Sequence, residues 1–381
     1  MQTILEIFWR FLALGCVSFG GPAAHMGYFQ KAFVEKLKWL DATAYARLIS
    51  LSQFLPGPGS SQVGFAIGLQ RGGLLGGLAA FIGFTLPSFI VMYLFATMAM
   101  SAEQSSWFAG LVHGLKLLAV VVVADATLSM FHTFCKNKRA ISIMIFTATT
   151  LLIIPGIWTQ MAVLVIAAGA GLALHQSTTN EIGTSHSIKW PAILLFLGLF
   201  LLLPILAMSS PLIALFTDFY QSGSLVFGGG HVVLPLLQQT LGESVSSDRF
   251  LTGYAAAQAV PGPMFTFASF LGADLMPESP LLGALLATLA VFLPGFLLVI
   301  SLQGAWESLA SKPKVAGAIW GINAAVVGLL MAALYQPVFI SAVQAPHDMA
   351  LVILGFFVLR VFKVPVLALV LGFILCGLGL G

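Results

Sequence analysis

Charge is what this chain of 381 residues has least of: Asp, Glu, Lys and Arg together make up 8% of it, against roughly a quarter in a soluble domain. So little charge cannot dress a water-facing surface, and with 59% hydrophobic residues the chain reads as an integral membrane protein. Sixteen Lys and Arg against thirteen Asp and Glu leave a net charge of +3. That is too little to neutralise a row of phosphates, which excludes nucleic acid as a partner. Cysteine is scarce too: Cys16, Cys135 and Cys376 are few, widely separated and embedded in apolar sequence, suiting neither a disulfide framework nor a zinc site. Also missing are a Gly-x-Ser-x-Gly elbow, a phosphate loop with its Lys, paired Cys or His at metal-ligand spacing and an Asp-rich cation cluster. No catalytic set, metal or cofactor is therefore expected. The N-terminus lacks a cationic start and a small-residue cleavage site, and Glu6 and Arg10, spaced for a local ion pair, interrupt its first apolar run. A removable signal peptide is not expected.

What the sequence has in abundance is apolar residues interrupted by small and kinking ones. Apolar stretches at about 3–24, 44–70, 73–100, 109–132, 140–154, 158–175, 190–208, 211–240, 250–275, 280–302, 314–335, 337–359 and 364–380 each approach or exceed the roughly 20 residues that cross a hydrocarbon core. Thirty-nine Gly and eighteen Pro imply a backbone broken or closely packed at many depths, a composition closer to a transporter's than a receptor's.

Four landmarks recur in order. Phe19-Gly20-Gly21-Pro22 with His25 returns as Phe227-Gly228-Gly229-Gly230-His231, offset by 208. Gln53 with Pro56-Gly57-Pro58 returns as Gln258 with Pro261-Gly262-Pro263, offset by 205. Leu86-Pro87-Ser88-Phe89 returns as Leu293-Pro294-Gly295-Phe296, and Gly110 with Gly114 as Gly317 with Gly321, both offset by 207. The chain is a duplicated unit: an N-terminal repeat over 1–180, a linker with one extra membrane segment over 181–209, and a C-terminal repeat over 210–381.

Charge then orients the copies. Lys31, Lys36, Lys38 and Arg47, then Arg71, then Lys136, Lys138 and Arg139 mark one side of the first half, and the loop around Glu103 lacks them. In the second half the bias reverses: Glu243, Asp248 and Arg249, then Asp274 and Glu278, occupy the loops matching the first two clusters, while Lys312 and Lys314 match Glu103 and Arg360 with Lys363 match Pro155 and Gly156. Since Lys and Arg mark the cytoplasmic side, the expected fold is an all-α polytopic membrane protein of two inverted-topology repeats. With basic residues on both flanks, 44–70 must enter and leave on one side, a re-entrant hairpin with arms 44–55 and 59–70 and its tip at Pro56-Gly57-Pro58. Pro261-Gly262-Pro263 caps its counterpart from the other face, and the first segment of each half is expected to turn back at Gly20-Gly21 and Gly228-Gly229-Gly230.

A helix broken in a membrane exposes N–H groups that persist only beside an acceptor. Pro22 and Pro58 stand where Pro starts a helix, followed by Ser60, Ser61 and Gln62 in the first turn and by Thr266 in the second half. Converging half-helix N-termini at Gly20, Gly21, Gly57, Gly228, Gly229 and Gly262 would offer positive dipole ends plus hydroxyl and amide donors, which suits a tetrahedral oxyanion that must also be released. A single Gly pair is more simply read as a packing or kinking device; four duplicated breaks favour a site. Lys116, on one helix face with His113, is the deepest Lys, an anion contact or a snorkelling side chain, and its counterpart is Asn323. Asp125, on the opposite face, either carries a coupling proton or hydrogen-bonds a neighbouring hydroxyl. His25 and His231 donate to an oxyanion, titrate during transport, or are satisfied core residues. Gln53 and Gln258, one turn before the tips, bind substrate or tie the tips down.

These motifs resemble the chromate ion transporter family in its long form. The matching residues are Phe19 to His25 with Gly27-Tyr28-Phe29, Gln53 to Pro58 with Ser61-Gln62, Phe227 to Pro235, and Gln258 to Pro263. The resemblance implies a bacterial inner-membrane carrier that expels chromate, with sulfate as structural analogue, driven by the membrane potential or a proton gradient. The second half departs with Gly230 for Pro22, Gly295 for Ser88 and Asn323 for Lys116, which sets apart the substrate contacts of the halves. The expected partners are a small inorganic oxyanion and the lipid bilayer, with a homodimer left open. A membrane enzyme acting on a lipid-linked substrate and an anion channel are the alternatives.

Overall fold

The computed structural model describes residues 2–102, 105–174, 188–227, 233–306 and 312–380, which are almost entirely helical and contain no strand. The first half opens with α1 (Gln2–Val17) and α2 (Gly21–Phe29). Gly20 and Gly21 between them take φ of +100° and +75°, left-handed values that glycine adopts without strain. The chain doubles back there: Phe11 of α1 packs on Phe29 and, beyond α2, on Phe33, with ring centroids 5.6 and 4.7 Å away. After a π-turn over Gln30–Lys36, α3 (Ala42–Phe54) starts at Asp41, whose side chain accepts from the Ala44 amide at 2.7 Å. It stops before Pro56-Gly57-Pro58, where the prolines remove donors and push the preceding residue out of the helical region.

From Gly59 the chain returns along the first arm of α4 (Gly59–Ala102), reverses at Gly72 and Gly73, and runs up its second arm beside α1. The hairpin expected over 44–70 is thus present. Next come α5 (Ser106–Phe134), α6 (Lys138–Ile153) and α7 (Ile157–Leu174). Helix α8 (Trp190–Leu206) follows and buries none of its residues.

The second half repeats this order: α9 (Pro211–Leu225), α10 (Val233–Leu241), α11 (Ser247–Ala259), the tip at Pro261-Gly262-Pro263, a 3-10 turn over Met264–Thr266, α12 (Phe267–Leu275), α13 (Pro280–Leu302), α14 (Pro313–Ala333), α15 (Pro346–Val361) and α16 (Val366–Leu380). Equivalent glycines make equivalent contacts. Gly15 lies against the Phe84 carbonyl as Gly223 lies against that of Val291, and Gly68 meets Gly76 as Gly272 meets Gly283. Turning back at Gly228-Gly229-Gly230 falls outside the described residues. The apolar stretch expected over 337–359 is not one segment. Pro337, in a π-turn over Leu334–Phe339, and Pro346 interrupt it, and the helix begins anew at Pro346.

Among the described residues five helical stretches are long and apolar enough to cross a membrane: Gly59–Ser101, Ser106–Phe134, Trp190–Ser209, Pro280–Leu302 and Lys314–Ala342. The halves exchange their last helices around two of these. Gly110 and Gly114 of α5 press against Gly377 and Phe373 of α16, and Gly317 and Gly321 of α14 press against Gly171 and Ala167 of α7. Likewise Val121 of α5 touches Gly355 of α15, and Gly328 of α14 touches Met144 of α6. A Cβ at Gly114 or Gly321 would run into a backbone carbonyl, whereas one at Gly198 in α8 would meet nothing within 4 Å. Gly114→Val and Gly321→Val should each cost about 2–4 kcal/mol, and Gly198→Val should stay within about 1 kcal/mol. Thermal unfolding of the three variants in one detergent measures the difference.

Candidate functional site

The two proline-rich tips approach from opposite halves and each closes on the break of the other. The Gly57 amide donates to the Val226 carbonyl at 2.7 Å, and the Gly262 amide donates to the Ser18 carbonyl at 2.9 Å. Val226 and Ser18 stand just ahead of Phe227-Gly228 and Phe19-Gly20, so the bonds are counterparts. Both donors have positive φ, +121° and +97°. Their packing is reciprocal too: a Cβ at Gly57 would lie 3.1 Å from Gly295 Cα, and one at Gly262 would lie 3.0 Å from Ser88 Oγ. Each tip therefore rests on the Leu-Pro-x-Phe segment of the other half, and three of the four duplicated landmarks meet at the centre.

His25 locks this junction from the first half. It is fully buried, with Nε2 3.2 Å from the Ser18 carbonyl and Nδ1 3.1 Å from Ser60 Oγ. A carbonyl can only accept, so Nε2 carries the proton and Nδ1 accepts from the Ser60 hydroxyl. The Ser18 carbonyl thus receives both His25 and the opposing tip. Gln62 ties its own tip, donating from Nε2 to the Pro56 carbonyl at 2.8 Å and reaching the Gly295 carbonyl at 3.4 Å. In the second half Thr266 donates to the Pro263 carbonyl at 2.8 Å, and Gln258 Nε2 lies 2.8 Å from Met264 Sδ. Gln53 is exposed, and Gly228, Gly229 and His231 lie outside the described residues.

Around the junction several polar atoms are buried yet have no hydrogen-bond partner among the described residues: Ser18 Oγ, Ser61 Oγ, Gln62 Oε1 and Thr85 Oγ1. Each such atom carries a desolvation cost unless a guest or water meets it. The first-turn amides of α4 have no acceptor within their own helix, and a Cβ on Gly21 would meet open space. Hydroxyls, helix N-termini and room coincide at the first-half break, an arrangement that can accept a negatively charged oxygen without a fixed cation.

The remaining candidates lie apart from it. Lys116, buried in α5, places Nζ 2.5 Å from Asp248 Oδ1 at the start of α11. His113 on the same face donates from Nε2 to Asp348 Oδ1 at 2.7 Å, and Asp348 Oδ2 accepts from the Gln344 and Ala345 amides. On the opposite face Asp125 forms an ion pair with Arg360, whose Nη1 is 3.0 Å away. Asn323, the counterpart of Lys116, is buried with an unpartnered Oδ1 and lines a cavity of about 430 Å³ with Phe54, Thr133, Lys136, Trp306 and Trp320. Sequence reasoning missed Ser18, Thr85, Asp248, Asp348 and Arg360.

Comparison with known proteins agrees with this architecture. The family model for chromate transporters matches residues 5–174 and 213–378, one match in each half. The chain belongs to the chromate transporter family. Its relatives include an uncharacterized transporter of Methanocaldococcus jannaschii, 27% identical over 342 residues, 87% of this chain and 83% of the relative. A probable chromate transport protein of Synechococcus elongatus is 27% identical over 364 residues, 93% and 88% of the two chains. An uncharacterized transporter of Bacillus subtilis is 22% identical over 164 residues, 92% of its own length but 43% of this chain. No solved structure matches the chain. Within the family framework the protein is a multi-pass membrane transporter.

Gly57 combines positive φ with blocked space, whereas Gly21 combines positive φ with open space. Gly21→Ala should cost about 1 kcal/mol and Gly57→Ala about 3 kcal/mol, at the two ends of the range for a residue held in such backbone. Thermal unfolding of each variant in detergent checks the order.

Proposed function

We propose that this protein is a secondary transporter for tetrahedral oxyanions, exporting chromate from the bacterial cytoplasm across the inner membrane, with sulfate as analogue. The observation that carries the reading is the reciprocal closure of the Gly57 and Gly262 tips on Val226 and Ser18. Many carriers that work by alternating access are built from two inverted copies that meet at a central site near the bilayer midplane. The names of the chromate transport proteins of Pseudomonas aeruginosa and Cupriavidus metallidurans, 24% and 23% identical to this chain, support chromate as the substrate. In this reading the anion lies at the first-half break against Gly20, Gly21, Ser60, Ser61 and Gln62, with His25 orienting Ser60. Gly57 and Gly262 set the tip positions, and Gln53, Gln258 and Thr266 hold the tips. Gly228, Gly229 and His231 supply the second-half counterpart, Lys116 and Asn323 serve the approaches, and Asp125 takes up a coupling proton when Arg360 leaves it. The substrate is moved and not chemically changed.

Purified protein in liposomes should take up labelled chromate saturably, with unlabelled sulfate competing, and the rate should change when a pH gradient or a membrane potential is imposed. Absence of saturable oxyanion flux under all of these conditions would count decisively against the reading. Current far above carrier turnover would instead identify a channel.

A further inference from the structure

The two halves match in sequence and in their central bonds but differ at their approaches, and that difference carries an inference about where the substrate enters and leaves. Helices α5 and α14 are counterparts, as are the hairpin arms α11 and α3. Helix α11 packs along α5, whereas α3 and α14 barely touch and the 430 Å³ cavity parts them. Two residues of α14 that face the cavity have direct counterparts on α5. Trp320 and Asn323 line the cavity, and their counterparts at offset 207 are His113 and Lys116, whose partners Asp348 and Asp248 both come from the second half. Lys136 and Trp306 line this partly open cavity, and Arg47 and Gln70 border the adjacent hollow beside Trp306. These charges mark the cytoplasmic end.

We infer that the structure is the inward-open state, that Lys116–Asp248 and His113–Asp348 are the outer gate, and that breaking them turns His113 and Lys116 into the lining of an outer oxyanion site, equivalent to the inner cavity beside Asn323. The inference rests on the transport reading above. Burial decides the direction of the effect. The Lys116 side chain is 6% exposed and that of Asp248 70%, so a surface carboxylate clamps over a buried ammonium. Without it the ammonium is an uncompensated buried charge, and the state that hydrates it, or gives it a divalent oxyanion, is favoured. Asp248 therefore stands in for the substrate while the outer side is shut.

The test needs no substrate. In a chain whose Cys16, Cys135 and Cys376 are replaced by Ser, Val112→Cys reports the outer site and Ile319→Cys, at the counterpart position in the inner cavity, reports the inner one. A membrane-impermeant maleimide is applied to spheroplasts for the first and to inverted vesicles for the second. Val112 is buried here, 9% exposed, and its cysteine should label slowly. Adding Asp248→Asn should raise that rate about tenfold and lower labelling at Ile319→Cys by a similar factor, while Asp248→Glu restores both. Labelling that rises at both positions would mark a loosened fold, and labelling unchanged at both would mark a structural ion pair; either overturns the gate. Should Asp248→Asn fail to accumulate, Asp348→Asn is read with the same two labels. A protein that labels reciprocally yet moves no oxyanion would sink the transport reading and leave the gate standing.

Discussion

Two backbone hydrogen bonds are the constraint on which the architecture depends: Gly57 to Val226 and Gly262 to Ser18. In the bilayer interior a backbone amide without an acceptor costs several kcal/mol, and for that reason chains cross membranes as unbroken helices. This protein breaks its helices at mid-depth and satisfies each break with the other copy. Neither half supplies the acceptor for its own tip amide, so the centre exists only when both are present and opposed. The glycines follow from this. The donors need positive φ, and a Cβ on them would lie 3.1 Å from Gly295 Cα at Gly57 and 3.0 Å from Ser88 Oγ at Gly262, which leaves it no room.

The same logic governs the periphery by another means. Where α5 meets α16 and α14 meets α7, glycine on both sides lets backbones touch, and dispersion contacts replace the hydrophobic effect that lipid cannot supply. Charge appears sparingly and mostly as ties between the halves. His113 with Asp348 and Asp125 with Arg360 fasten α15 alongside α5 at two levels, twelve residues apart on each helix. Polar bonds thus tie the halves at points that can part, and glycine seams hold what must stay close.

The duplicated glycines and prolines were legible in the sequence because each has a backbone role visible in its residue type and is present twice. The hairpin over 44–70 and its tip follow from Pro56-Gly57-Pro58 and the flanking basic residues alone. The hydroxyls at the centre were hidden by the same method. Ser18 and Thr85 correspond to Val226 and Phe292, so a search for recurring pairs passes over them. Lys116 was legible as a costly intramembrane charge, but Asp248, its partner, lies 132 residues away in an apparently unrelated loop, and no local pattern joins them. Average hydropathy also concealed the interruptions at Pro337 and Pro346, because two prolines barely alter the mean of an apolar window.

Helix α8 contributes no site residue and buries none of its own, yet the opposed arrangement needs it. The first half begins and ends at one level: α1 starts beside the Gly72–Gly73 reversal, and α7 ends where its Leu174 carbonyl accepts from Arg139. Joined directly, the second copy would enter from that same level and be threaded the same way up, with both tips rising from one leaflet and never facing each other. Helix α8 starts at that level, where the Lys189 amide bonds the Ser301 carbonyl, and delivers the chain to the far leaflet before α9 begins. A chain of half the length, such as the Bacillus relative, has no such passage to make. A fused one must spend a whole helix on flipping its own second copy.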